Sequence, residues 1–228
     1  MVPSVGTWSV GSVHERMLTV PDEAERKNLA GFIGHALRLD ESAVIRMRRR
    51  GPDHVSVWAA TGFDALATRT IVGTVNPDDT SAAGDTLLAA LSHASGELID
   101  PGFSMDSAWR GALPPAEGFE HLDDVPAHVL IELAQRGNAL AQEHGSSSGP
   151  PVSLLDQEVL EVSGPSITAG ISMRAIFALT AMGFVDVNRI NETELVRVRA
   201  SRSWIRLDAR FGSIYRHRGG SIPLMVAR

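Results

Sequence analysis

No cysteine occurs among the 228 residues. Its absence excludes thiolate catalysis, cysteine-ligated zinc and iron–sulfur clusters, and it suits a reducing cytosol. Long apolar runs are also missing. A membrane helix needs roughly 20 apolar residues, and the longest apolar segment, Ile171 to Val185, is interrupted by Ser172, Arg174, Thr180 and Gly183. The opening stretch, MVPSVGTWSVGSVHERM, has no charged region followed by an apolar core, so no signal peptide is expected. These absences together predict a cytoplasmic chain with no membrane partner. Lys27 is the only lysine, a bias that reflects a GC-rich genome and carries no mechanism.

Catalytic signatures are lacking too. There is no glycine–lysine phosphate loop, no G-x-S-x-G elbow and no H-E-x-x-H helix. His121 and His128, with Asp123 and Asp124 between them, come nearest to a metal cluster, and their spacing matches no standard site. Asp100, Asp106 and Glu117 read as solvated loop carboxylates rather than acid–base groups. The expectation is no catalytic residue, no metal and no cofactor. The enzyme question stays open and leans toward no.

What is present is an ordinary globular composition, 43% hydrophobic and 21% charged. The net charge of −6 is unevenly placed. Residues 187–228 hold nine arginines against three acids, a balance of +6, which leaves −12 on residues 1–186. A basic end on an acidic body fits either an acidic partner or mutual attraction between the two ends.

Helix and strand signals follow one another clearly. Thr19, Pro21 and Asp22 open a helix carrying Leu29, Ile33 and Leu37 at helical spacing. Strands are predicted over 44–50, 54–60 and 66–73, and a helix around Leu87, Leu88 and Leu91. Residues 95–123 read as irregular. Asp124 then caps a helix with Pro126 in its first turn. Residues 144–152 read as a flexible linker between an N-terminal helix–meander–helix half, 1–143, and a C-terminal helix–meander half, 153–228. In the second half the pattern predicts a short helix from Ser153 to Val162, and then a second one with Ile176, Leu179 and Met182 on one face and Gly183 as its cap. Strands follow over 195–200, 204–209 and 213–217, with a fourth over 222–226.

The two halves resemble each other. Ile45-Arg46-Met47-Arg48 reads like Val196-Arg197-Val198-Arg199, at an offset of about 151 positions. Val57, Phe63 and Leu66 match Ile205, Phe211 and Ile214 at an offset of about 148. Two amphipathic meanders can resemble each other by period-two patterning alone, so the repeat stands beside that simpler account. The fold class is α/β of the α+β type, with pseudo-two-fold halves and a mainly antiparallel sheet. This order of elements, with the segment Ile205 to Tyr215 and its aspartate-then-glycine hairpin, resembles the EspG-type chaperones of type VII secretion. That resemblance implies a cytosolic protein that holds secreted substrates.

Arginine alternation is the strongest functional signal. Successive strand side chains point to opposite faces. Arg46 and Arg48 therefore share a face with Trp58 on the next strand, and Arg197 and Arg199 share one with Trp204, Arg206 and Arg210. Arginine and tryptophan dominate interface hot spots. These eight residues are the candidate partner-binding set, and the same pattern would arise if other parts of the chain covered the faces. The leading reading is a non-enzymatic chaperone, adaptor or regulator that binds another protein. A winged-helix DNA-binding regulator built from 153–218 is the alternative, with Ser172–Met182 as recognition helix. Its lone basic residue, Arg174, makes a nucleic-acid partner less favoured. An enzyme of unrecognised type comes third. Oligomeric state is not readable.

Overall fold

The structure, a computed structural model, describes residues 16–144, 150–188 and 193–218. Most of the expected linker and the expected strand over 222–226 lie outside the described residues.

Strand β1 (Met17–Thr19) leads into helix α1 (Glu23–Leu39). Asp22 caps α1 by accepting from the backbone N–H groups of Ala24 and Glu25, and Leu29, Phe32, Ile33 and Ala36 form its buried face. Next comes the meander β2 (Val44–Arg50), β3 (His54–Ala60) and β4 (Leu66–Val72), followed by β5 (Thr74–Asn76) and β6 (Asp79–Ala83). Gly51, at φ +72°, turns the chain between β2 and β3. Helix α2 (Gly84–His93) and β7 (Leu98–Ile99) complete the first part.

The second part opens with β8 (Glu120–Pro126) and α3 (Ala127–His144). Asp124 is therefore a strand residue and not the expected helix cap, and the irregular stretch ends at Glu120. The one-turn helix α4 (Val152–Leu155) precedes β9 (Glu158–Ser163) and β10 (Thr168–Ser172). The helix expected over 153–162 thus stops after a turn. Residues Glu158–Ser163 instead pair antiparallel with Thr168–Ser172, and Gly164-Pro165 lies in the turn that brings the chain back as a hairpin. Helix α5 (Met173–Ala181) follows as expected, with Gly183 beyond its end at φ +66°. The meander β11 (Leu195–Ala200), β12 (Trp204–Ala209) and β13 (Gly212–His217) closes the described chain.

These corrections remove the winged helix. Its first helix is mostly a hairpin, and the intended recognition helix buries Ala175 to Leu179 in the core. A helix packed that way offers no face to a groove in DNA.

Eight strands form one antiparallel sheet in the order β6-β2-β3-β4-β13-β12-β11-β8. The halves meet at the β4–β13 seam, where Leu66, Ala67 and Thr68 pair with Tyr215, Ile214 and Ser213. The central pair, Ala67 with Ile214, marks the pseudo-two-fold. Counting outward through the pairs, Val57 corresponds to Ile205 and Arg46 to Arg199. The expected match of Leu66 with Ile214 is off by one, since Ile214 faces the core and Leu66 the other side.

Each half contains the same two units in opposite chain order. β1–α1–meander corresponds to β10–α5–meander, and β6–α2–β7 corresponds to β8–α3–β9. The side sheets agree, because β7 pairs with β1 and β9 with β10. β8 pairs with β11 and α3 packs on α5, although a division at 144–152 groups both with the first half. The helices cover one face of the large sheet. Across the midline Phe32 stacks on Phe184 and Phe63 tilts against Phe177, with centroids 6.2 and 5.9 Å apart.

Candidate interaction face

On the sheet face opposite the helices, strand register lines up a transverse row: Ser81, Arg46, Trp58, Thr68, Ser213, Asp208, Arg197 and Asp124. The expected alternation is therefore real, and the sheet brings both arginine sets onto one surface rather than two. This face is not bare, however. Residues 100–119 fold back over it as an arm, with a 3-10 turn at Asp106–Ala108.

The arm is anchored at the edge strand β6. Met105 N–H donates to the carbonyl of Ser81 (2.9 Å), and the N–H of Ser81 donates to Asp106 Oδ1 (2.5 Å). Arg16 ties the same place, donating to Thr80 Oγ1 and to the carbonyls of Ser81 and Gly102. Unpaired edge groups are thereby satisfied and closed to other strands. From there Trp109, Leu113 and Phe119 pack onto a second apolar cluster of Trp58, Trp204 and Tyr215. Trp58 and Trp204 are only 8% and 7% exposed. Both point to the predicted side, but the arm buries most of each, so only a margin of either ring stays open.

The arginines divide accordingly. Arg46 is held by Asp79 through two bonds of 2.7 Å and lies over Trp109. Its pKa is raised by that carboxylate. Arg199 and Arg206 both donate to Asp208, which also accepts from Ser213. Arg206 further stacks over Tyr215 at 5.1 Å and Phe119 at 5.9 Å. Arg197 bonds Asp124 at 2.9 Å yet remains half exposed. The guanidinium and the His121 ring hold Asp124 below the usual carboxylate range. Arg48, 3.8 Å from Asp79, is also more than half exposed. Arg210 lies past the end of β12 over Phe211, at the margin of the face. Arg48, Arg197 and Arg210 thus stay exposed, while Arg46, Arg199 and Arg206 are held against other groups of the chain.

A loop as long as 95–123 is expected to be either functional or packed as an arm, and it packs as one. Sequence reasoning gave Tyr215 no role and read Asp106 as a loop carboxylate, without its anchoring bond from the N–H of Ser81. A signal existed, because Trp109, Leu113 and Phe119 sit in a proline-rich loop, and bulky apolar side chains there need a surface to cover. Among the described residues no group of histidines and carboxylates could hold a metal ion. No described helix is long and apolar enough to cross a membrane.

Helices on one face of a shared antiparallel sheet, repeated about a pseudo-two-fold, make an architecture like that of the bacterial sliding clamps. The chain superposes on the pol III beta subunit of Caulobacter crescentus with a TM-score of 0.55 at 14% identity, covering 91% of this chain and 66% of that one. It superposes on the polymerase sliding clamp of Pseudomonas aeruginosa with 0.56 at 12% identity, covering 91% and 66%. For a putative DNA polymerase III beta subunit of Eubacterium rectale the values are 0.59 and 9%, covering 90% and 65%. The chain spans about two thirds of the length of these subunits. Residues 13–111 match the model of a domain of unknown function, DUF8010, and residues 114–221 that of another, DUF8185. No curated protein matches. The clamp-like fold overturns the resemblance to EspG-type chaperones. The hairpin that carried it, Ile205 to Tyr215, is the β12–β13 pair of the clamp-like sheet, and its aspartate serves to bind two arginines.

Proposed function

We propose that this chain is a non-catalytic interaction module that holds a partner protein on the arm-bearing face of its large sheet. The observation that carries this reading is the concentration of exposed arginine on one face of an acidic chain. Arg48 and Arg210 flank the closed aromatic centre together with Arg197, while Arg46, Arg199, Arg206, Trp58 and Trp204 form its supporting frame. Exposed arginines around a desolvated aromatic core fit the anatomy of protein interfaces.

A second reading, association with DNA, draws its support from the fold shared with polymerase subunits. The helix layer speaks against it. Helices α1, α2, α3 and α5 carry five acids and five lysines or arginines. A surface so balanced supplies little phosphate neutralisation, the main source of affinity for duplex DNA.

Affinity capture from cells expressing the tagged chain tests the choice. The expected result is a protein retained by the wild type and by Arg136→Glu on α3, and lost with Arg48→Glu or Arg197→Glu. Retention of nucleic acid in place of protein, sensitive to the same two changes, would instead favour the DNA reading.

A further inference from the structure

The arm does not seal the face evenly. Between it and strands β2 and β3 runs a groove of about 530 Å³. Trp58 and Tyr215 form its floor, and Leu113, Pro114 and Pro115 form the wall on the arm side. Arg48, Arg49 and Arg50 line the opposite side, and Arg206 closes one end. None of the lining residues is acidic, in a chain whose net charge is −6.

The arginines differ in how far they are committed. Arg206 is engaged by Asp208, and Arg49 by Asp78 at 3.1 Å. Arg48 is 3.8 Å from an Asp79 already bound in bidentate fashion by Arg46. Arg50 donates to Thr70 Oγ1 at 3.2 Å and has no carboxylate within ion-pair distance among the described residues. Burial raises the Tyr215 pKa, and the nearby Arg206 and Arg50 only partly offset it. The phenol therefore stays protonated at neutral pH and is a hydrogen-bond donor. Arg48, Arg50 and Tyr215 thus all bring donors toward the groove, Ser56 adds a hydroxyl, and the apolar part of the lining is Trp58 with Leu113, Pro114, Pro115 and Ala116.

We propose that this groove binds an extended acidic segment of a partner protein, with carboxylates on Arg48 and Arg50 and an apolar side chain over Trp58 against Pro114 and Pro115. The inference rests on the protein-binding reading above. Planar guanidinium groups match carboxylates in pairs of parallel hydrogen bonds. The apolar half of the groove requires more than charge, because a purely acidic chain leaves the Trp58 and proline surfaces uncovered. A duplex fits less well, since the arginines form a single cluster beside the arm and not a track along which phosphates could be neutralised.

Fluorescence anisotropy of the full chain with short labelled peptides tests this. The probes are a peptide alternating glutamate with leucine, the same peptide with lysine for glutamate, an all-glutamate peptide and a short DNA duplex. The glutamate–leucine peptide should bind, weaken as salt rises, and weaken about tenfold or more with Arg48→Glu plus Arg50→Glu. Arg136→Glu on α3, on the opposite side of the sheet, should leave it unchanged. Melting curves of all variants should match the wild type, since these side chains are exposed. Equal binding of the all-glutamate peptide would overturn the proposal, and so would displacement of the bound peptide by the duplex. If no peptide binds while the captured partner still depends on Arg48, the groove assignment fails and the interaction reading survives. If capture also yields no partner, both fall.

Discussion

Trp58 of β3 and Tyr215 of β13 pack with ring centroids 5.3 Å apart, reaching across β4 to join the two halves on the arm side of the sheet. Tyr215 also meets Phe119 edge-on at 5.7 Å, so one side chain links first half, second half and arm. Tyr215→Ala should destabilise the fold by about 3 kcal/mol, as expected for truncating a buried aromatic, and Tyr215→Phe by far less. Urea titration of the three proteins checks this. Equal stability of the alanine variant and the wild type would show that the second cluster contributes nothing.

Asp208 organises the second half's share of the face by accepting from Arg199, Arg206 and Ser213. All three donors are partly buried, so loss of the carboxylate leaves two guanidinium cations unpaired with reduced access to water. Asp208→Ala should cost about 1–3 kcal/mol. In a double-mutant cycle with Arg206→Ala the two costs should fail to add. Strict additivity would mean that the pairing carries no energy.

Asp106 ties the arm to pH. Burial pushes its pKa up, but bonds from the Ser104 hydroxyl and the Ser81 N–H, with the Arg16 charge, bring it below the usual carboxylate value. A depressed folded-state pKa means stabilisation that is complete above the unfolded value of about 4 and lost as pH falls through the folded one. Acidification below that range should therefore loosen the arm and shift the emission of Trp109, with Trp109→Phe as reference. Asp106→Asn should show the loosened signal already at neutral pH. An arm signal that ignores both acid and substitution would refute the anchor.

The seam tolerates no added bulk at Gly212. A Cβ there would lie 2.4 Å from the Phe184 ring and 2.8 Å from the Thr68 carbonyl oxygen. Both are fixed, one in the core and one in strand β4. Gly212→Ala should destabilise by about 1–3 kcal/mol through overpacking, whereas Gly62→Ala, with open space around it, should be close to neutral. Comparable melting temperatures for the two variants would contradict the close approach.

Much of this molecule is legible locally. The six strands of the two meanders follow from alternation and turn residues, α1 from its helical spacing, and α5 from its apolar face and Gly183. The cap of α1 is Asp22 and not Thr19, which ends β1. The alternation of Arg46, Arg48 and Arg197 with core side chains is likewise a property of a few consecutive residues. What could not be read that way depends on contacts between distant segments. That β4 pairs with β13, so that two arginine sets share one surface, is a choice between sheet edges that no local pattern specifies. Asp124 looks like a helix cap because cap and strand both tolerate aspartate before proline, and pairing with β11 settles which it is. The fate of Trp58 and Trp204 has the same origin. Strand periodicity gives the side of the sheet on which a side chain stands, but whether water reaches it depends on where an arm with no periodicity, residues 100–119, comes to rest.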